Sequence, residues 1–168
     1  MEWEWSDSGR LARMTTFMQS TTAQAVVPVE REKIWDVLID PTMIARFTPF
    51  VSKISERDGH WIWTMSGLNV LGKGFSATFT EKMTLDEMVR IEFTHDPPND
   101  QGERAAVNGY YALSDVEGGT HLETSLEVCT DLPLPRVSSG AVRATMKGVM
   151  GGMGDRFSKN LLDHFGVS

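Results

Sequence analysis

Cysteine is almost missing from this sequence, and its few histidines are far apart. The single Cys129 excludes an internal disulfide framework and a cysteine-rich zinc centre, and it is typical of a reducing compartment. Dozens of residues separate one histidine from the next, whereas metal ligands commonly lie one helical turn apart; the four are His60, His95, His121 and His164. We therefore expect no metal site, no cofactor and a cytoplasmic location.

Long apolar runs and clustered positive charge are also missing. No window approaches the roughly 20 uninterrupted apolar residues of a membrane span, and the acidic start "MEWEWSDSGR" lacks the features of a signal peptide. Lys and Arg are scattered in a chain of net charge -7, which disfavours binding to phosphate backbones. We expect a soluble protein with no stable membrane insertion and no nucleic-acid partner.

The chain has the length and composition of one domain. Its 168 residues are 40% hydrophobic, which is enough for a core or for a core that contains a cavity. Residues 1–16 are interpreted as an N-terminal arm, in which Trp3 and Trp5 lie among acidic residues without a clear period. Residues 17–168 are interpreted as the domain. A role of the arm in self-association stays open.

Two proline stops divide the stretch "VPVEREKIWDVLIDPTMIARFTPFV". A Thr- and Val-rich strand, best defined over residues 22–27, ends at Pro28. A short helix follows, with apolar residues at Ile34, Trp35, Val37, Leu38 and Ile39. Asp40 and Pro41 are a good N-cap and first residue for a second short helix, which Pro49 ends. The stretch therefore predicts a strand, two short helices and a return to strand.

From Phe50 to about Thr130, apolar and polar residues alternate between turn signals. The pair Asp58-Gly59 favours a tight hairpin. Each run predicts an antiparallel strand with one apolar face. These faces comprise Trp61, Trp63 and Met65; Phe75, Ala77 and Phe79; Val89, Ile91 and Phe93; Val107, Gly109, Tyr111 and Leu113; and Leu122, Thr124, Leu126 and Val128.

The last segment changes to a helical period. Apolar residues recur every three or four positions, at Val142, Met146, Val149, Met153, Phe157 and Leu161, and predict a long helix that ends near Gly166. Its interior glycines, Gly148, Gly151, Gly152 and Gly154, each cost roughly 1 kcal/mol relative to alanine. Three explanations stay open: close packing of Gly148 and Gly152 on the sheet or a second molecule, a cavity enlarged by missing side chains, or a hinge.

These elements together predict an α+β helix-grip fold, in which a curved antiparallel sheet of about seven strands wraps around a long C-terminal helix. The residues Val27, Trp35, Leu38, Asp40 and Pro41 resemble the opening run of the START-like superfamily (SRPBCC, Bet v 1-like, polyketide cyclase and lipid transport). The carbon monoxide dehydrogenase G type is the most similar variety, but Phe50 stands where it has glycine. The resemblance implies a cavity between sheet and helix for lipids, polyketides or other apolar molecules.

The inward faces supply the candidate binding residues, whose aromatic rings and adaptable thioethers suit an apolar ligand. They are Trp61, Trp63, Phe79, Phe93, Tyr111, Thr124, Met146, Met150, Met153 and Phe157. Three residues are weak candidates for proton transfer. Glu81 continues the face of Phe79 and lies inside or at the rim, unless it is a solvated strand end; His95 ends a strand at the mouth; Tyr111 lies on the inner wall.

We expect the protein to bind or transport a hydrophobic small molecule and not to be an enzyme. A polyketide cyclase or dehydratase-like enzyme is one alternative. An accessory or assembly protein for an oxidoreductase is another, with a larger enzyme partner. A homodimer also stays open.

Overall fold

A computed structural model describes residues 14–98 and 102–167 of the chain. Its strands are β1 (Thr15–Val27), β2 (Val51–Arg57), β3 (His60–Val70), β4 (Lys73–Asp86), β5 (Arg90–His95), β6 (Ala105–Val116) and β7 (Gly119–Leu132). Its α-helices are α1 (Arg31–Leu38), α2 (Pro41–Phe47) and α3 (Ser139–Phe165), and one turn of 3₁₀-helix (Arg136–Ser138) precedes α3. Strand β1 begins at Thr15, and most of the expected N-terminal arm, with Trp3 and Trp5, lies outside the described residues. The division into arm and domain stays a prediction.

The seven strands form one antiparallel sheet in the order β1-β7-β6-β5-β4-β3-β2. Strands β2 to β7 follow one another as a meander, and β1 joins the far edge by pairing with β7 from Thr15↔Leu132 to Val27↔Thr120. The two short helices connect the edge strands β1 and β2, and the long helix α3 follows β7. The predicted helix-grip architecture is confirmed.

Local residues explain where the helices begin and end. The carboxylate of Asp40 accepts hydrogen bonds from the backbone N–H groups of Thr42 (2.9 Å) and Met43 (3.3 Å), which caps α2. Gly166 ends α3 with a positive φ of 68°. The hairpin between β2 and β3 uses Asp58 (φ 52°) and Gly59 (φ 76°), the backbone geometry that the Asp-Gly pair predicts.

The buried apolar side chains form three clusters along the axis of α3. The first cluster joins α1 and α2 to the C-terminal end of α3, and it includes Ile34, Leu38, Trp61 and Leu161. The central cluster comprises Met65, Leu68, Phe79, Phe93, Ala105 and Val107. The third cluster packs the start of α3 on the sheet through Phe17, Val70, Leu132, Val142 and Met146. The helix is thus anchored at both of its ends.

Two sequence-based expectations about side chains differ from the structure. Alternation places Val89 on the inner face of a strand with Ile91 and Phe93, but β5 begins at Arg90 and Val89 is exposed in the preceding turn. Gly148 and Gly152 do not bring α3 close to the sheet, because a Cβ atom built at either position meets nothing within 4 Å. Their packing against a second molecule stays a prediction.

Candidate functional site

The inner face of the sheet is incompletely covered beneath the middle of α3. Val142 and Leu161, near the two ends of the helix, are 0% and 2% exposed, whereas Val149, Met150, Met153 and Phe157 between them are only half-buried. A continuous two-layer core would bury all of these positions equally. The contact between helix and sheet is therefore interrupted at its centre.

Strand β1 shows the same interruption. Phe17 (1% exposed) and Val27 (6%) lie on one face, and that face is buried at both ends of the strand. Thr21, Ala23 and Ala25 have the same parity but are exposed. These three residues are small, so they leave space beside β7, where the register partners Leu126 and Thr124 are half-buried.

Glu81 on β4 places a carboxyl group on the inner face of the sheet, beside Trp61 and Trp63. The residue is 2% exposed, and the indole Nε1 of Trp63 donates a 2.8 Å hydrogen bond to its Oε2 atom. Burial raises the pKa of Glu81 to about 8, and the hydrogen bond from Trp63 opposes that shift. The alternative of a solvated strand end is excluded, and the carboxyl is mostly protonated at neutral pH.

Two aromatic pairs lie on the same inner face as the carboxyl, one stacked and one tilted. The Trp63 ring stacks on the ring of Phe79 with centroids 5.5 Å apart, and the rings of Phe93 and Tyr111 lie 5.4 Å apart in a tilted pair. Burial raises the pKa of Tyr111, and the Glu81 carboxyl raises it further once it is ionised, so the phenol stays neutral. Tyr111 is nevertheless half-buried and keeps accessible surface. These rings give the region an apolar, low-polarity wall.

Gly109 makes this wall possible. A Cβ atom at this position would lie 2.7 Å from Cε2 of Phe93 and 2.1 Å from the carbonyl oxygen of Ser125. The ring of Phe93 therefore occupies the space that a side chain on β6 would fill. Sequence analysis placed Gly109 on the inner face but missed this role, for which the signal was a glycine inside a strand pattern.

His95 belongs to a separate polar network at the end of β5. Its Nε2 atom lies 2.9 Å from Oε1 of Glu103, whose side chain is 5% exposed. The backbone N–H and the hydroxyl of Thr80 also donate to Glu103, each at 2.8 Å. Sequence analysis missed Glu103 because it follows a loop. The network holds His95 by its ring nitrogen and does not join it to the carboxyl of Glu81.

A surface pocket lies beside the middle of α3. A pocket of about 380 Å³ is lined by Pro49, Phe50, Val149, Gly152, Met153 and Arg156. Phe50 is exposed and has a positive φ of 67°, a conformation that a bulky side chain rarely adopts. A larger pocket of about 430 Å³ lies elsewhere, at the start of α1 around Arg31 and Asp115. The pocket of about 380 Å³ borders the central cluster, because its lining residues Val149 and Met153 also pack against that cluster.

The structure assembles part of the predicted binding set around the interruption. Trp63, Phe79, Phe93, Tyr111 and Met153 lie in or against the central cluster. Trp61 and Met146 are buried in the first and third clusters, whereas Phe157 packs on the first cluster and stays half-buried. Thr124 and Met150 are half-buried, and the hydroxyl of Thr124 lies 3.5 Å from the carbonyl oxygen of Ala23. Their role in binding stays a prediction.

The described part of the chain lacks both a cluster of metal-ligating side chains and a membrane-spanning helix. Within residues 14–98 and 102–167, no three His, Cys, Asp or Glu side chains come together as metal ligands do. Over the same residues, no helix is both long and apolar enough to cross a membrane.

Comparison with solved structures identifies the same architecture elsewhere. The ZhuI aromatase/cyclase from Streptomyces sp. R1128 has 12% sequence identity and a TM-score of 0.60, over 88% of this chain and 93% of that one. A START superfamily protein from Mycobacterium smegmatis has 16% identity and a TM-score of 0.59, over 88% and 95%. The di-domain ARO/CYC protein BexL of the BE-7585A biosynthetic pathway has 13% identity and a TM-score of 0.61, over 88% of this chain and 50% of BexL.

These similarities show a shared fold at identities too low to transfer an activity. No protein-family model and no curated protein matches the chain. The resemblance to the carbon monoxide dehydrogenase G type stays a prediction.

Proposed function

We propose that this chain, whose fold is that of the START-like proteins, binds a hydrophobic small molecule between the middle of α3 and the inner face of the sheet. The observation that carries the proposal is the interrupted core. Helix α3 and strand β1 are each buried at both ends and uncovered between them, on the faces that should pack. Uncovered apolar surface of this kind costs roughly 25 cal/mol per Å² in water, which a bound apolar molecule recovers.

The lining of the region supports an apolar ligand. Half-buried side chains around the central cluster are aromatic or aliphatic, namely Trp63, Ala77, Met83, Tyr111, Leu126, Val128, Val149 and Met153. Unbranched methionines adapt to different ligand shapes. The 380 Å³ pocket between Phe50 and α3 provides the entrance. The fold neighbours described as an aromatase/cyclase and a START superfamily protein are consistent with a ligand of this class.

The test is native purification followed by intact mass spectrometry, organic extraction and uptake of an apolar fluorescent probe. We expect a co-purifying apolar molecule or saturable probe binding with a stoichiometry near one. A Met153→Trp variant fills the space and should lose probe binding, whereas Ala144→Trp adds bulk on the exposed side of α3 and should not. Unchanged uptake by a folded Met153→Trp variant contradicts the proposal.

A second candidate is a cyclase- or dehydratase-like enzyme, and Glu81 is the observation that favours it. A buried carboxyl with a pKa of about 8 can donate and accept a proton near neutral pH. In an assay with a poly-β-ketone substrate, Glu81→Gln should abolish turnover and keep substrate binding. Equal turnover by the variant and the parent contradicts this candidate. The accessory-protein alternative stays a prediction.

A further inference from the structure

One oxygen atom of the Glu81 carboxyl accepts a hydrogen bond, and the other has no donor among the described residues. Its Oε2 atom accepts from Nε1 of Trp63 at 2.8 Å, and among the hydrogen bonds of residues 14–98 and 102–167 no donor reaches Oε1. No Lys, Arg or His of the described chain forms a salt bridge with it. Glu81 is 2% exposed as a residue, but among the described residues only Nε of Arg31 is a fully enclosed polar side-chain atom without a partner, so Oε1 of Glu81 keeps accessible surface and can receive a hydrogen-bond partner.

The groups around Glu81 favour its neutral form. Tyr111 from β6 interacts with it electrostatically, and as a neutral phenol it supplies no positive charge. His95 is its register partner on β5 but lies 2.9 Å from Glu103. Strand β3 contributes Trp61, the register partner of Glu81, and Trp63, its hydrogen-bond donor. The α3 residues Val149 and Met153 pack against the central cluster, as Trp63 does, and Arg156 lines the surface pocket with them. A neutral carboxyl carries one O–H donor.

Resting on the proposed function, we propose that Glu81 donates its O–H to an acceptor oxygen of the bound molecule, so that the site selects neutral apolar ligands that carry a ketone or similar oxygen. The Trp63 indole fixes Oε2 and leaves Oε1 for the ligand. A pure hydrocarbon leaves the donor unpaired in an apolar region, which weakens its binding. A cation gains little from a carboxyl that has no charge, and deprotonation at high pH removes the donor.

Three naphthalene probes of similar size test this selectivity by equilibrium dialysis: 2-acetylnaphthalene, 2-ethylnaphthalene and 2-naphthylmethylammonium. At pH 6.5 we expect the ketone to bind about tenfold more tightly than the hydrocarbon, the effect of one buried hydrogen bond. The preference should disappear at pH 9.5. Glu81→Gln keeps an N–H donor and should retain the preference at both pH values, whereas Glu81→Leu should lose it at both.

The outcomes separate this inference from the proposed function. Equal binding of ketone and hydrocarbon at pH 6.5, a preference that persists at pH 9.5, or tighter binding of the ammonium probe overturns the role of Glu81 and leaves apolar binding intact. Failure of all three probes to bind overturns both. Circular dichroism of each variant shows whether lost binding reflects lost folding. If a variant does not fold, the pH dependence of the ketone preference in the parent protein tests the inference.

Discussion

Nε1 of Trp63 donates a 2.8 Å hydrogen bond to Oε2 of Glu81 across the paired strands β3 and β4, in a region that is otherwise apolar. This pair is the polar centre of the inner face. It fixes one oxygen of a buried carboxyl on the inner face of the sheet, and it links the stability of the fold to the chemistry of the proposed site.

Glu81 should make the fold less stable as pH rises. Below pH 4.5 the carboxyl is protonated in both states, and between pH 4.5 and about 8 only the unfolded chain releases the proton, so unfolding becomes easier. The shift corresponds to about 5 kcal/mol of unfolding free energy lost over this range. Urea denaturation of Glu81→Gln should show a stability advantage over the parent that grows from pH 4.5 to 8. An advantage independent of pH would show that Glu81 is ionised in the fold.

Removal of the indole donor should raise the pKa of Glu81 further. In the parent protein, the hydrogen bond from the Trp63 N–H group lowers the pKa of Glu81. Trp63→Phe loses this N–H group but keeps an aromatic ring stacked on Phe79. Carbon-detected NMR of the Glu81 carboxyl measures the titration directly. Titration at an unchanged or lower pH in the variant contradicts the contact.

Replacement by alanine should lower the stability of the fold at Gly109 and raise it at Gly148. Gly109→Ala places a methyl group against Phe93 and the Ser125 carbonyl, and should cost about 3 kcal/mol of unfolding free energy. Gly148→Ala meets nothing within 4 Å and should gain up to about 1 kcal/mol from helix propensity. Denaturation measures both. A destabilising Gly148→Ala would instead favour the open alternative, packing against a second molecule.

At position 50, glycine should give a more stable protein than alanine, which reverses the usual order of stability. At a φ of 67° an L-residue is strained by roughly 1–2 kcal/mol, so Phe50→Gly should be more stable than Phe50→Ala by about 1 kcal/mol. Thr48, with a φ of -99°, is the matched control, where alanine should be the better residue. The same order at both positions would show that the left-handed conformation of Phe50 is absent.

The sequence predicts the fold well because its signals are local. The proline stops, the Asp40 cap and the Asp58-Gly59 turn act within a few residues, and the parity of each strand assigns its inner face. The expectation for Val89 is wrong because the alternating pattern of β5 continues into the turn before it. The pattern does not show where the strand begins.

The candidate site is less predictable because it depends on distant contacts. Parity places Glu81 with Phe79, but its burial depends on which strands and helix cover it. Glu103 contacts Thr80 and His95, which are 23 and 8 residues away along the chain, so no local pattern predicts the network. The exposed face of Thr21, Ala23 and Ala25 follows from the path of α3, which no pattern within β1 contains.

Methionine-methyl NMR tests the central claim most directly, because methionines lie both inside and outside the proposed binding region. On titration with 2-ethylnaphthalene, we predict saturable shifts at the half-buried Met153, Met150 and Met83. We predict none at Met14 and Met18, which are exposed at the start of β1 with a parity opposite to that of Phe17. Absence of saturable shifts at the first three methyls, or shifts confined to Met14 and Met18, would contradict a ligand site beneath the middle of α3.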